Sequence, residues 1–310
     1  MNNFIKYGVL AQSKKTDEQL EYIYVVISSG IYAYSKKDGS LVFGNTEHGG
    51  GDAGFVHGDR LYVGSITGRP IRWFNRYTGV LIGQGDTDRS TTQQNSIWVG
   101  DYLYYIVGNF LFKRTLDDEA VGHCNVPDTQ KYGMHLTKTT AYIPTSSWHS
   151  QLVNLEDMTL LTPTSSVGYT PIFNFVRDDH YFTMDATNEK RIDVFALSDL
   201  DTKLFSTVSF GVNVNNFFVD ENYIYVVGNM TTCRWYSRVD GSLVGTTDIF
   251  VLNQNIHRIV VDENYIYLSG IVDVLKYYDK TTGEYVGEIE LEASSPRVLI
   301  TTPIDDAFLI

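Results

Sequence analysis

Three stretches of this 310-residue chain carry residue types that can do chemistry. Glu47-His48-Gly49-Gly50-Gly51-Asp52 sets carboxylates and an imidazole among glycines, the donor types of a metal site. Its spacing matches no ligand pattern, so the expectation is a mobile surface loop. Asp86-Thr87-Asp88-Arg89 lacks the downstream Glu that completes a calcium loop and reads as a solvated connection. Ser146-Ser147-Trp148-His149-Ser150 places an aromatic pair in a polar loop, where it can anchor a partner or fold back over neighbouring strands. Gln94, Asn95, Asn215, Asn216, Asn255 and His257 form a further set. Their amides can bond a sugar or peptide, or line a water-filled channel, and water is the expectation.

The seven histidines, His48, His57, His123, His135, His149, His180 and His257, are scattered. No nucleophile elbow, zinc-binding helix motif or phosphate loop accompanies them. No cofactor or metal is expected, and catalysis has no positive support.

Composition narrows the classes further. The formal charge is −13, from 24 Lys plus Arg against 37 Asp plus Glu. An acidic chain without a basic stripe repels phosphate backbones, which argues against nucleic acid as a partner. No run of roughly 18 apolar residues is present, so membrane insertion is not expected. Met1-Asn2-Asn3-Phe4-Ile5-Lys6-Tyr7 lacks the basic head and long apolar stretch of a signal peptide. Cys124 and Cys233 are too few for a disulfide framework. The expected setting is therefore the cytoplasm or the interior of an assembled particle.

The residues that must position any such site announce themselves by repetition. Asp262-Glu263-Asn264-Tyr265-Ile266-Tyr267-Leu268 restates Asp220-Glu221-Asn222-Tyr223-Ile224-Tyr225-Val226. Anchored on the second aromatic, the copies fall at Tyr24, Tyr62, Tyr104, Tyr142, Tyr181, Tyr225 and Tyr267. Their spacings of 38, 42, 38, 39, 44 and 42 residues match the length of a β-propeller blade. Each copy reads as four strands divided by turns, never with helical periodicity. Gly39, Gly79, Gly241 and Gly283 supply the positive φ of the last hairpin turn. Asp118, Asp157 and Asp199 stand where copies three to five would carry that glycine. Residues 297–302 read as one more first strand. The expectation is an all-β, seven-bladed β-propeller of four-stranded antiparallel blades, one domain over 1–310, its ring closed by the C-terminal strand.

Leu61-Tyr62-Val63-Gly64 with Tyr77-Thr78-Gly79-Val80-Leu81, and Tyr225-Val226-Val227-Gly228 with Asp240-Gly241-Ser242-Leu243, carry a family likeness. The unit resembles the repeat of quinoprotein-like (pyrroloquinoline-quinone-like) β-propellers. That resemblance implies the fold. It does not extend to the cofactor, because the adjacent cysteines of those enzymes are absent. The Trp common in their last strand is absent too, with Gly44, Gly83, Gly245 and Gly287 in its neighbourhood.

In a propeller the turns between strands one and two share a face with those between strands three and four. Asp220, Glu221, Asp262 and Glu263 therefore lie near Arg76, Arg238 and Lys280, as exposed charge pairs worth roughly 0–1 kcal/mol each. The opposite, loop-rich face is the expected docking surface, with partner contacts at Arg69, Asp86, Arg89, Trp148, His149 and Asp185. The channel mouth is expected at Gln94, Asn95, Asn215, Asn255 and His257. The functional expectation is a non-enzymatic, rigid docking or structural module for protein partners in a larger assembly, virus particles included. The alternatives are a glycan hydrolase or lyase working at the channel mouth through His257, and a carbohydrate-binding propeller.

Overall fold

The computed structural model describes residues 21–301, apart from 52, 65–69, 86–96, 128–133, 146–148, 164–170, 186–189, 249–255, 257, 271–272 and 293–295; for 171–173 it describes the backbone alone. Every described element is a strand or a turn. Blade I contains β1 (Tyr22–Val26), β2 (Ile31–Ser35) and β3 (Leu41–Asn45). Blade II is β4 (Ala53–His57), β5 (Arg60–Gly64), β6 (Arg72–Asn75) and β7 (Leu81–Gln84). Blade III is β8 (Ile97–Val99), β9 (Leu103–Val107), β10 (Phe110–Arg114) and β11 (Ala120–Asn125). Blade IV is β12 (His135–Leu136), β13 (Thr140–Pro144), β14 (Ser150–Asn154) and β15 (Thr159–Leu160). Blade V is β16 (Pro171–Arg177), β17 (His180–Asp185), β18 (Arg191–Ala196) and β19 (Asp199–Ser206). Blade VI is β20 (Val214–Val219), β21 (Tyr223–Gly228), β22 (Arg234–Ser237) and β23 (Leu243–Thr246). Blade VII is β24 (Arg258–Val261), β25 (Tyr265–Ser269), β26 (Val274–Asp279) and β27 (Tyr285–Glu290).

The last strand, β28 (Val298–Thr301), returns to blade I and pairs antiparallel with β1, Val298 against Val26 and Thr301 against Ile23. The seven sheets thus form a seven-bladed β-propeller, closed by its C-terminal strand. Inner strands of successive blades touch around the axis.

Both faces of a blade are apolar because each faces a neighbour. Tyr24 and Val26 pack against Leu61, Val63 and Phe74 of blade II, while Ile23 and Val25 pack against Tyr267 and Leu275 of blade VII. One such apolar cluster fills each of the seven seams. All seven anchor tyrosines lie on the second strand of their blades and are buried.

The turn glycines do two jobs. Gly39, Gly79, Gly241 and Gly283 have φ of 71°, 69°, 72° and 77°, where a side chain is disfavoured. Each also seats its turn on the outer strand of the preceding blade. A Cβ on Gly79 would stand 2.3 Å from the Phe43 ring, and one on Gly283 2.5 Å from the Thr246 carbonyl oxygen. Asp118 takes the same conformation at φ 66°. In blade IV the positive φ falls on Met158, one residue past Asp157, and Asp199 instead opens β19.

The outer-strand glycines answer a different demand. Tyr32, Trp73, Trp235 and Tyr277 lie opposite Gly44, Gly83, Gly245 and Gly287 across strands three and four. The rings lie over the bare backbone, so a Cβ on Gly245 would meet Trp235 at 2.3 Å. The large aromatic has its place on the third strand, with glycine making room for it on the fourth.

Candidate functional site

The acidic turns build a ring of latches on one face of the disc. Asp262 Oδ1 accepts the Asn264 and Tyr265 amides at 2.9 and 2.8 Å, which fixes the turn. Its Oδ2 accepts the Tyr267 hydroxyl at 3.1 Å and faces Lys36 Nζ of blade I at 2.6 Å. Asp220 repeats this arrangement, with Tyr225 at 2.8 Å and Lys280 of blade VII at 2.7 Å. Arg238 of blade VI reaches Asp178 of blade V at 2.9 Å while bonding the Asp220 and Glu221 carbonyls. Arg60 reaches Asp117 across the next-blade boundary at 2.7 Å.

The Asp262 and Asp220 pairs correct the expectation of exposed pairs, whereas the Asp178 and Asp117 carboxylates are 48 % and 71 % exposed. The Asp262 and Lys36 side chains are 6 % and 8 % exposed, because each acid sits beneath its own turn and each base under the neighbouring blade. Buried pairs of this kind are strongly destabilising to break, about 3–5 kcal/mol when one partner is removed. Burial also holds the tyrosyl protons in place. The Tyr225 and Tyr267 hydroxyls are pushed up, first by burial and then by the adjacent carboxylates of Asp220 and Asp262. Burial alone is the leading cause that lifts Tyr104 and Tyr181 to about 12.

A second set of cations clamps the connections between blades. Arg72, at the start of β6, is buried and donates to the carbonyls of Gly49 and Gly50 at 3.3 and 2.8 Å. Arg234, in the same position of β22, reaches the Phe210 carbonyl at 3.4 Å. The loop beginning Glu47-His48 is therefore wedged between blades I and II rather than mobile. A Cβ on Gly50 would stand 1.5 Å from the Ile27 carbonyl oxygen, and one on Gly51 1.9 Å from that of Gly64.

Among the described residues, the inner strands carry an aromatic succession beside Asn215 and Asn216 of β20. Ring centroids step from Phe55 to Trp98 (5.3 Å), to His135 (4.5 Å), to Phe175 (4.3 Å) and to Phe218 (5.8 Å), across blades II to VI. Strands this close to the axis leave room that large apolar side chains fill. Burial among these rings pushes His135 down to about 3. Asn215 is half-buried and donates to the Ile256 carbonyl at 3.0 Å, tying blade VI to the start of blade VII. Gln94, Asn95, Asn255 and His257 lie outside the described residues, as do Arg69, Asp86, Arg89 and Trp148.

Two expected partner contacts are described. His149 Nε2 lies 2.8 Å from Gln151 Nε2, and its carbonyl accepts from Thr145. Asp185 departs from expectation. It is 2 % exposed, at the end of β17 and in register with Arg191 and Pro171, so it belongs to the blade interior and not to a docking surface.

Exposed apolar residues concentrate on the rim. The outermost strands present Leu41 and Val42, Ile82, Val121, Leu160, Leu204, Leu243 and Val244, and Tyr285 and Val286. These strands have a partner on one side only. The edges of blades VI and VII join, since Asp248 donates to the Gly283 carbonyl at 3.0 Å and accepts the Tyr285 amide at 3.2 Å. Among the described residues, no group of three His, Cys, Asp or Glu side chains could hold a metal, and no helix is long and apolar enough to cross a membrane.

No protein-family model matches the chain, and no curated protein does either. Among solved structures, the crystal structure of the computationally designed Ika8 protein is similar, with a TM-score of 0.68 at 10 % identity over 88 % of this chain and 85 % of that one. At that identity the likeness is one of fold.

Proposed function

We propose that this chain is a non-enzymatic, rigid docking module that serves as a structural component of a larger protein assembly. The observation that carries the reading is the rim. Every blade exposes apolar side chains on its outermost strand, and such strands offer both an unpaired edge and contact area. The latched charges support it from the other side, because Asp220, Asp262, Lys280 and Arg238 hold blades together and keep the scaffold fixed.

The test uses the tagged intact chain and a variant with Leu243→Ser, Val244→Ser, Tyr285→Ser and Val286→Ser. Complexes from the source cells are cross-linked and mapped by mass spectrometry. Cross-links that converge on the rim, and vanish in the variant while its melting temperature holds, support docking. Turnover of a glycan by the intact chain, with no partner on any surface, overturns it.

A further inference from the structure

We infer that the ring opens at the seam between blades IV and V and holds firm at blade I, where β28 closes it against β1. The closure at blade I joins β28 to β1, two strands far apart in sequence. It is heavily fastened. Val298 and Ile300 of β28 join the cluster facing blade II, and Leu299 joins the one facing blade VII. The Arg297 amide donates to the Val26 carbonyl at 2.8 Å, the Glu292 amide to the Tyr34 hydroxyl at 2.9 Å, and Lys36 pairs with Asp262.

The seam between blades IV and V is built differently. Among the described residues, its apolar cluster has four buried members, Tyr142, Val176, Tyr181 and Phe195, where each of the other six seams has eight or more. Buried polar groups share the seam with the partly buried Leu152, Leu197 and Leu200. Asn174, Thr183 and Asp193 form one row across blade V by strand register. That row faces blade IV, since Asn174 Nδ2 donates to the Tyr142 carbonyl at 3.0 Å. Asp185 shares the face two residues beyond Thr183. Ser150 meets the Tyr181 hydroxyl from the opposite wall. All of these polar residues are buried. Blade IV is also slight, with two-residue inner and outer strands.

Parting this seam returns hydroxyls, an amide and carboxylates to water, which hydrates them well. Parting any other exposes a larger block of apolar side chains, which water opposes. Local openings follow the lowest of these costs. The device is a ring with one polar joint, placed away from the strand that closes it.

The chain's own cysteines provide the reference for a test. Cys233 and Cys124 lie buried in the apolar seams between blades VI and VII and between III and IV. Ser150→Cys, Thr183→Cys and Val25→Cys are made singly in the intact chain, and labelling by a small neutral maleimide is followed by mass spectrometry under native conditions. Cysteines at 150 and 183, on opposite walls of the joint, are expected to react at matching rates at least tenfold above Cys233. The cysteine at 25, in the seam between blades VII and I, is expected to stay with the slow class. Labelling at 150 alone would mean that blade IV frays by itself, and fastest labelling at 25 would mean that the closure at blade I parts first. Either result, or no excess at 150 and 183, overturns the inference. Retained melting temperatures of the three variants keep the comparison valid.

Discussion

Replacing Lys36 with methionine tests whether the turn-face charges are buried latches or surface ornaments. The substitution keeps most of the side-chain volume and removes the ammonium 2.6 Å from Asp262 Oδ2. With Asp262 6 % exposed, a carboxylate left without its cation sits in a medium that screens and solvates it poorly. Such a loss costs about 3–5 kcal/mol. For a chain of this length that corresponds to a melting-temperature drop of about 5–8 °C. The Tyr267 hydroxyl and two backbone amides remain on Asp262, which places the expectation toward the lower end. Asp262→Leu alone should also cost stability, by removing the acceptor of two turn amides and of the Tyr267 hydroxyl, while Lys36 keeps Glu21 at 3.1 Å. The double variant should be less destabilised than the sum of the two, with a coupling of about 1–3 kcal/mol. Denaturant unfolding of all four chains supplies the cycle, repeated at low and high salt. A loss below about 1 kcal/mol that fades with salt is the behaviour of an exposed pair, and would refute the latch.

Three further expectations follow from the same geometry. Gly79→Ala and Gly58→Ala both force a side chain to positive φ, at 69° and 57°, but only the first meets a neighbour, the Phe43 ring at 2.3 Å. Thermal melts should show Gly58→Ala losing about 1–2 kcal/mol and Gly79→Ala about 2–4 kcal/mol, partly restored by Phe43→Leu; equal losses would remove the packing role. His135, pushed down to about 3, stays neutral in the fold while the unfolded chain binds a proton below about 6.5. Stability should therefore fall as pH drops from 6.5 toward 3, by up to about 4–5 kcal/mol, and His135→Leu should flatten that part of the urea-midpoint profile. Tyr104 and Tyr181, lifted to about 12, keep their protons above pH 10 when the unfolded chain sheds them, so stability should decline from pH 10 to 12. Ultraviolet titration should find these buried tyrosines ionising late, and ionisation of all 22 together near 10, with the fold intact, would contradict it.

Much of the fold was legible because its determinants are local. The seven tyrosine anchors and the four turn glycines sit at nearly constant offsets, and turn chemistry needs only a few adjacent residues. The shared face of Asp220, Asp262, Arg238 and Lys280 was legible too, but the burial of the pairs and the part of Lys36 were not, since Lys36 and Asp262 are distant in sequence and meet only because the ring closes. A signal was nonetheless present. An acid stands five residues before Tyr225 and Tyr267, and a base stands 12 to 14 residues after Tyr24, Tyr62, Tyr225 and Tyr267. Fixed offsets of opposite charge in copy after copy point to contacts between copies. The pairing of Trp73 with Gly83 and Trp235 with Gly245 could have been found likewise, from a repeated offset of ten. Site residues were harder to place because propeller loops lie outside the repeat. Asp185 looked like a loop residue, yet its register with Arg191 makes it part of a strand.

The division between repeated and unrepeated residues also bears on what the molecule is for. In blades VI, VII and I the acid, the tyrosine hydroxyl and the base are used together to join one sheet to the next. A scaffold that commits its most reactive side chains to its own seams has few left for bond-making chemistry in the same region. Those blades also present their outer strands to water, with Leu243, Val244, Tyr285 and Val286 each about half exposed. Contact through that surface needs no motion of the blades, because the strand already has the extended shape a partner strand would match. Fastened seams and an exposed rim are thus complementary consequences of one repeat, and that pairing is what the proposed docking role draws on.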